Sequence, residues 1–216
     1  MPKQKTLIAW ALITTLAIGV VAHGLGYRAG LQDLSARSEA ARMLASDRLL
    51  GQLDRFRSLP AVLAQFPDVT SAGPGANALL EELAATTGAL DLYMLDTDGW
   101  AVAASNYRLD RSFLDKNYAW RPYFTDAKAT GFGAYHAVGS VSGQRGFYFS
   151  ARIPGANGVV VAKIDLAAME ANWRGDEAVL FFEDQSGGAF MSNRPGLILK
   201  RLDDAAPVNP RQYTNQ

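Results

Sequence analysis

Two positively charged residues stand in apolar surroundings, where a charge is unusual. Lys163 lies within the apolar run Val159–Ile164, and Arg121 lies among the aromatic residues of segment 117–124. A buried cation is costly unless an anion pairs with it, and a guanidinium can bind both oxygens of a carboxylate. The pair therefore favours a small pocket for a short dianion. The alternatives are a solvent-facing lysine and an arginine held by stacking and an ordinary salt bridge.

Hydroxyl-bearing residues accompany these two cations. Tyr118 precedes the arginine by three residues, Tyr148 lies in an aromatic segment typical of a strand, and Ser140 lies in a Gly/Ser-rich stretch. Hydroxyl groups can donate hydrogen bonds to carboxylate oxygens. The three side chains are therefore predicted to line the pocket walls between the two positive charges.

The residue types needed for catalysis are mostly missing, since the chain has no cysteine and two histidines, His23 and His136. Disulfides and thiolate-based zinc or iron–sulfur sites are therefore excluded. His136 has no nucleophile elbow near it, and there is no Walker A loop. Residues 96–99 resemble the start of a calcium loop, but Tyr107 stands where the distal glutamate belongs, which favours a plain turn. We predict no catalytic residues, no metal site and no cofactor.

Charge and composition limit the classes of partner. Lys plus Arg and Asp plus Glu both number 21, and hydrophobic residues make up 49% of the chain. The balance argues against a nucleic-acid partner, because neutralising phosphates requires a basic excess. The hydrophobic fraction is high enough for a folded core rather than a disordered chain.

A long apolar run near the N-terminus determines the predicted location. Residues 7–27 contain no Asp, Glu, Lys or Arg, and Lys3 and Lys5 precede them. About 20 apolar residues span a bilayer as a helix, and the positive-inside tendency keeps the tail before them in the cytoplasm. We predict one anchor in the bacterial inner membrane, with the following domain in the periplasm. A cleaved signal peptide and a buried soluble helix are the alternatives.

The segment that follows the apolar run is predicted to be helical. Apolar residues recur at helical spacing from Gly30 to about Phe66, with charged residues mostly between them. Pro60 is expected to bend this helix or to end its first part. Two interpretations of this helix are compatible with each other: it is the first helix of the domain, and it is a stalk that pairs with the same helix of a second copy in a homodimer.

The rest of the chain predicts an α+β fold. Shorter helical patterns occur at 76–87, 118–128 and 166–173. Strand patterns occur at 91–95, 100–104, 132–138, 147–153, 158–164 and 178–183. The order indicates a five-stranded antiparallel sheet with helices on one face, as in PAS-like extracellular sensor domains. In such a fold the excursion between the second and third strands leaves a pocket.

Four motifs carry a resemblance to a known family. They are ASN at 104–106, NYAWRPYF at 117–124, GQRGFYFSARI at 143–153 and VVVAKIDL at 159–166. Together they resemble the periplasmic sensor region of C4-dicarboxylate sensor histidine kinases, a tandem PAS-like (double Cache) domain between two transmembrane helices. The resemblance covers roughly residues 30–213. Its most specific part, the aromatic–Arg–Pro block, occurs widely in Cache sensors and so identifies the domain better than the ligand.

The resemblance implies a membrane-distal domain that binds succinate, fumarate or malate. The positions that match the family's ligand-binding residues are Asn117, Tyr118, Arg121, Ser140, Ser142, Tyr148 and Lys163. By this match the 117–121 segment holds one carboxylate, and Lys163 with the hairpin serines and backbone holds the other. Trp120 and Phe147 stand where the family usually has phenylalanine and tyrosine, and either change can resize the pocket.

The resemblance also implies a domain layout. Its parts are a cytoplasmic tail (1–6), a transmembrane helix (7–27), a stalk helix and linker (28–75), a membrane-distal PAS-like ligand-binding domain (76–175) and the start of a membrane-proximal PAS-like domain (176–216). The family continues into a kinase core, whereas these 216 residues hold no phosphoacceptor motif and no ATP-binding box. We therefore expect a truncated or fragmentary chain that cannot phosphorylate a partner by itself.

The leading interpretation is the ligand-sensing region of a two-component sensor histidine kinase that signals across the membrane. One alternative is a Cache sensor for an amino acid with a chemotaxis or cyclase output, in which Asp115 or Asp126 would bind the ammonium group. The others are a secreted periplasmic binding protein and a periplasmic hydrolase that uses His136.

Overall fold

The computed structural model describes residues 2–156, 158–176, 178–184 and 187–201, with no side chains described before residue 14 or at residue 17. Contacts between Cα atoms divide the chain into two units, Met1–Asp47 and Arg48–Gln216. Both β-sheets belong to the second unit. The residue boundaries predicted for the domains stay predictions.

One helix, α1 (Pro2–Arg57), includes the predicted membrane segment and most of the predicted stalk. A short helix, α2 (Leu59–Leu63), follows with Pro60 in its first turn, where a missing N–H leaves no hydrogen bond unmade. The prediction that Pro60 ends the first part of the helix is confirmed. Within the described residues, none of the helices combines the length and the apolarity that crossing a membrane requires. For part of the predicted membrane segment, residues 7–13 and residue 17, the structure describes no side chains.

The second unit is built on the predicted five-stranded antiparallel sheet. Its strands are β1 (Asp91–Leu95), β2 (Ala101–Ala104), β3 (Phe132–Val138), β4 (Arg145–Arg152) and β5 (Val159–Asp165). They lie in the order β2-β1-β5-β4-β3, with every neighbouring pair antiparallel. The central strand β5 is buried along its whole length except at Asp165.

Helices cover both faces of the sheet, which corrects the expectation that they lie on one face. One core lies between the sheet and the helices that precede it: the last turns of α1, α2, α3 (Pro67–Thr70) and α4 (Ala76–Thr87). A second core lies between the opposite face, loop 105–121 and α5 (Pro122–Thr130). The physical reason is β5, which directs apolar side chains to both faces in alternation and therefore needs cover on both.

A short second sheet follows the first. Helix α6 (Leu166–Ala171) leaves the end of β5, and strands β6 (Phe181–Glu183) and β7 (Ala189–Ser192) then pair antiparallel. Residues 202–216, the last part of the predicted second PAS-like domain, lie outside the described residues. That this sheet begins such a domain stays a prediction.

A buried ion pair links the two sheets. Arg145 at the start of β4 donates to both carboxylate oxygens of Glu170 in α6, each at 2.7 Å, and to the Phe190 carbonyl at 2.7 Å. The backbone N–H of Ser192 donates to Glu170 Oε1 at 3.1 Å. The two charged side chains are 14% and 3% exposed. The network therefore ties the hairpin end of the first sheet to β7 of the second.

Candidate functional site

A small, partly open cavity lies on the α5 face of the large sheet. Its lining comes from β1, β4, loop 105–121, α5 and the hairpin between β3 and β4: Tyr93, Phe113, Tyr118, Arg121, Tyr123, Gly139, Ser140, Val141 and Tyr148. The space that the centre of a water molecule can reach inside it is about 10 Å³, which holds about one water. The cavity is thus too narrow for a diacid as it stands, and a larger guest requires a wall to move outward.

Arg121 places a buried cation in the cavity wall. It stands immediately before α5 with an extended backbone (φ −77°, ψ 135°), the conformation that a following proline favours. The residue is 2% exposed. Its guanidinium carbon lies 4.1 Å from the centre of the Trp120 ring, and Nη2 donates to the Val138 carbonyl at 3.4 Å. Because a guanidinium is planar and permanently charged, this buried side chain is suited to bind an anion inside the cavity.

The hydroxyl of Tyr118, which lines the same cavity, is buried and has no hydrogen-bond partner among the residues that the structure describes. Burial raises the pKa of this hydroxyl to about 12, although the charge of Arg121 opposes the increase. The group therefore stays protonated and can donate. An unsatisfied buried hydroxyl costs about 1–3 kcal/mol, and a ligand oxygen in the cavity would remove that cost.

Aromatic rings form the remaining walls. The Tyr93 hydroxyl donates to the Tyr123 hydroxyl at 2.9 Å, and the rings of Tyr123 and Tyr148 stack with centres 5.0 Å apart and an interplanar angle of 14°. Phe113 meets Tyr93 edge to face at 4.9 Å. These rings exclude water, so that charges inside the cavity interact more strongly than they would at the surface.

Lys163 lies against the hairpin that closes one end of the cavity. Its side chain is 0% exposed, and Nζ donates to Ser142 Oγ at 2.7 Å. Nζ lies 5.7 Å from the ring centre of Phe113 and 6.0 Å from that of Tyr148, two rings that line the cavity. Burial lowers the pKa of the ammonium group, and the carboxylate of Asp91 opposes this decrease.

Two glycines make room for the lysine side chain. A β-carbon on Gly146 would come within 2.9 Å of Lys163 Cε. A β-carbon on Gly139 would come within 3.3 Å of Lys163 Nζ and within 2.6 Å of Ser142 Oγ. The Gly/Ser-rich composition of this hairpin therefore has a packing reason, the close approach of its backbone to the lysine.

A buried carboxylate lies behind the lysine. Asp91 and Lys163 are register partners in the β1–β5 pair, with Asp91 Oδ2 3.9 Å from Lys163 Nζ. Asp91 also lines an outer cleft of about 280 Å³ between α4 and the first half of loop 105–121. Burial raises the pKa of Asp91 to about 6, and the charges of Lys163 and Arg111 oppose the increase. The carboxyl group thus contacts both the buried ammonium and the outer cleft.

The structure brings most of the predicted site residues together. Those that line the cavity are Tyr118, Arg121, Ser140 and Tyr148. Ser142 and Lys163 bond to each other at its hairpin end. Asn117 is not brought to the cavity, because its amide donates to the Asp98 carbonyl at 2.8 Å and accepts from the Ala119 N–H at 2.9 Å. The role of these residues in ligand binding stays a prediction.

Sequence reasoning missed several residues of the site. The lining residues that it did not name are Tyr93, Phe113, Tyr123, Gly139 and Val141. The sequence pattern could have indicated Asp91 and Tyr93. They are two residues apart on β1, so their side chains share a face of the sheet, and β1 pairs with β5, which carries Lys163. Phe113 comes from an irregular loop, where no periodicity could have indicated it.

The buried cations and hydroxyl donors of the arrangement are suited to hold an anion. Over the described residues, no three His, Cys, Asp or Glu side chains are grouped so as to hold a metal ion. His136 packs on Phe190, with ring centres 4.0 Å apart, and burial lowers its pKa. Asp115 and Asp126, the acids considered for an amino-acid ligand, are exposed and do not line the cavity.

Comparison with known proteins identifies relatives, although no family model matches the chain. The C4-dicarboxylate transport sensor protein DctB of Rhizobium meliloti (strain 1021) is 31% identical over 210 residues, which are 89% of this chain and 34% of that protein. The protein of the same name from Pseudomonas aeruginosa is 33% identical over 175 residues, 76% of this chain and 29% of that protein. The chain thus spans about a third of the length of these curated relatives.

A solved structure gives the same result at the level of the domain. The sensor domain of the V. cholerae histidine kinase DctB superimposes with a TM-score of 0.75 and 30% sequence identity. The match covers 84% of this chain and 74% of that domain. Sequence and fold therefore agree, and the chain belongs to the family of DctB sensor domains.

Proposed function

We propose that this chain is the extracytoplasmic ligand-sensing region of a two-component sensor histidine kinase, and that its ligand is a C4-dicarboxylate such as succinate, fumarate or malate. The observation that carries the proposal is the small cavity, with the guanidinium of Arg121 in its wall, the ammonium of Lys163 at its hairpin end and, between aromatic rings, the Tyr118 hydroxyl, which has no hydrogen-bond partner within the described part of the chain. The relatives are sensors of C4-dicarboxylate transport, which supports the choice of ligand.

In the proposed complex each carboxylate meets one cation. One carboxylate accepts from Arg121 and from the Tyr118 hydroxyl, and the other accepts from Lys163 and the hairpin. Charge-assisted hydrogen bonds of this kind are about twice as strong as neutral ones. Since both cations are buried, the ligand also supplies the counter-charges that remove part of their desolvation cost.

The hairpin between β3 and β4 is the wall that we expect to move. Gly139, Ser140 and Val141 line the cavity, and the hairpin is closed by the Gly139 N–H, which donates to the Gln144 carbonyl at 2.9 Å. The next residue along the chain is Arg145, which bonds to Glu170. Displacement of the hairpin by a ligand would therefore act directly on the ion pair that leads to the second sheet.

A ligand series tests the proposal by calorimetric titration of the 216-residue chain. Succinate should bind, and butyrate, which has the same carbon chain but a single carboxylate, should bind at least about 100-fold more weakly because one charge-assisted contact is lost. Equal affinity for both acids, or no binding of any C4 diacid, would refute the dicarboxylate assignment. Binding of L-alanine in place of succinate would instead favour the amino-acid sensor.

We also propose a membrane anchor at residues 7–27 and a homodimer formed along α1. The support is the absence of charge in 7–27 and the exposure of large apolar side chains on one side of the helix, namely Leu31, Leu34 and Leu44, at 49–61%. The chain should fractionate with membranes.

Because the chain has no cysteine, the Leu34→Cys variant should form a disulfide-linked dimer on oxidation. Gln32→Cys, about 200° away around the helix, should cross-link much less, and equal cross-linking of the two would contradict the predicted interface.

A further inference from the structure

The buried charges around the cavity do not balance those of a dianion. Arg121 and Lys163 contribute two positive charges, but the carboxylate of Asp91 lies 3.9 Å from the ammonium of Lys163. When all three buried groups are ionised, their sum is one positive charge. Arg111 also faces Asp91, but it is exposed, so solvent and salt screen its charge. A dianion bound among the three buried groups would leave one net negative charge in a buried site, which is unfavourable.

We propose that Asp91 determines the ligand charge that this site accepts: it takes up one proton from solvent when a dianion binds, and stays ionised otherwise. The inference rests on the proposed function and specifies how that site is regulated. No other bond is made or broken in this step, since a solvent proton joins a carboxylate oxygen of Asp91.

Charged and titratable groups face Asp91 from several elements. The charged and titratable groups that face it are Lys163 on β5, Arg111 on loop 105–121, Tyr118 before α5, Tyr148 on β4, and the pair Glu81 on α4 and Arg108 on the loop, which share the outer cleft with it. Asn106 adds a side-chain hydrogen bond. Lys163 is the cation that most favours the ionised form of Asp91.

Ligand binding changes the interaction with that lysine. A carboxylate docked on Lys163 shares its positive charge and adds a negative charge near Asp91, and a nearby like charge raises a carboxyl pKa. In the free protein the pKa of Asp91 is already about 6, because the group is buried. Asp91 also lines the outer cleft, so it can exchange protons with solvent while Lys163 stays fully buried.

The sign of the pH dependence follows from linkage. If the bound protein holds one more proton than the free protein, the association constant rises as the pH falls toward the pKa of free Asp91. Below that value, which is about 6, the free carboxyl is already protonated and the dependence flattens. Between about pH 6 and about pH 8 the association constant should decrease by up to about tenfold per pH unit.

Titration of the full chain with fumarate tests this, because both carboxylates of fumarate are ionised throughout that range. Heats measured in buffers with different ionisation enthalpies should give an uptake close to one proton per ligand at about pH 7. Asp91→Asn, which keeps the size of the side chain but cannot titrate, should abolish the uptake, flatten the pH profile and bind fumarate at least about tenfold more tightly than wild type at about pH 8.

Asp165→Asn is the matched control, since Asp165 lies two residues after Lys163 and its carboxylate caps α6 through the Ala167 N–H at 2.9 Å. An asparagine can fill the same role, so this variant should keep the uptake. An independent measurement on the wild type is the infrared difference spectrum with labelled aspartate, which should gain a protonated carboxyl band when fumarate binds.

The possible outcomes are distinct. Proton uptake that persists in Asp91→Asn would assign the proton to another group and overturn the inference. Fumarate binding by the wild type with neither uptake nor a protonated carboxyl band would overturn the inference and leave the proposed function intact. Failure of the wild type to bind any C4 diacid would overturn the proposed function, and the inference with it.

Discussion

Replacing Arg121 by alanine is expected to lower the affinity for a C4 diacid by at least about 100-fold, which corresponds to roughly 3 kcal/mol. Arg121 is 2% exposed, so solvent and salt screen its interaction with a carboxylate only weakly. Its planar fork can supply two parallel hydrogen bonds to one carboxylate. Calorimetric titration with succinate measures the loss directly.

Arg121→Lys separates charge from geometry in the same assay. Lysine keeps the positive charge but not the fork, so we expect a smaller loss, on the order of tenfold. Arg152→Ala is a suitable control, because Arg152 is an exposed arginine at the far end of β4 that donates to the Lys128 carbonyl at 3.3 Å. Thermal unfolding should show that each variant is folded. Wild-type affinity in folded Arg121→Ala would contradict the proposed binding mode.

The elements predicted best were those with strong local signals. Helix α4 was predicted at 76–87 and found at Ala76–Thr87. It ends at Gly88, whose left-handed backbone (φ 75°) favours glycine. The strand at 91–95 and the one at 132–138 were also found at the predicted residues. In each case hydrophobic periodicity and a flanking turn residue indicate the same boundary, so local sequence was sufficient.

Features that depend on tertiary contacts were not predictable in the same way. The second core arises because loop 105–121, which has no periodic pattern, packs on the sheet through Phe113 and Tyr118. Asn117 matches the family motif by position, yet its amide is used in local hydrogen bonds. Asp91 gains its significance from its register partner Lys163, and strand register depends on pairing that the sequence alone did not specify.

Replacing Glu170 by alanine is expected to lower the free energy of unfolding by about 3–5 kcal/mol, the cost of removing one partner of a buried ion pair. The change would leave the guanidinium of Arg145, which is 14% exposed, without its two bonds to the carboxylate. It would also remove the acceptor of the Ser192 N–H. Urea denaturation measures the difference. Asp165→Asn, at the start of the helix that carries Glu170, leaves the ion pair in place and should change the free energy of unfolding by far less.

A double variant, Arg145→Met with Glu170→Leu, distinguishes stability from signal transmission. Apolar residues of similar size can replace a buried ion pair with little loss of stability, so the double variant should be more stable than Glu170→Ala alone. Binding of succinate should persist, because neither residue lines the cavity. If the ion pair carries hairpin movement to β7, succinate should alter hydrogen exchange of the Ser192 amide in the wild type and not in the double variant. The same ligand-dependent change in both proteins would mean that the pair stabilises the link between the sheets without transmitting movement across it.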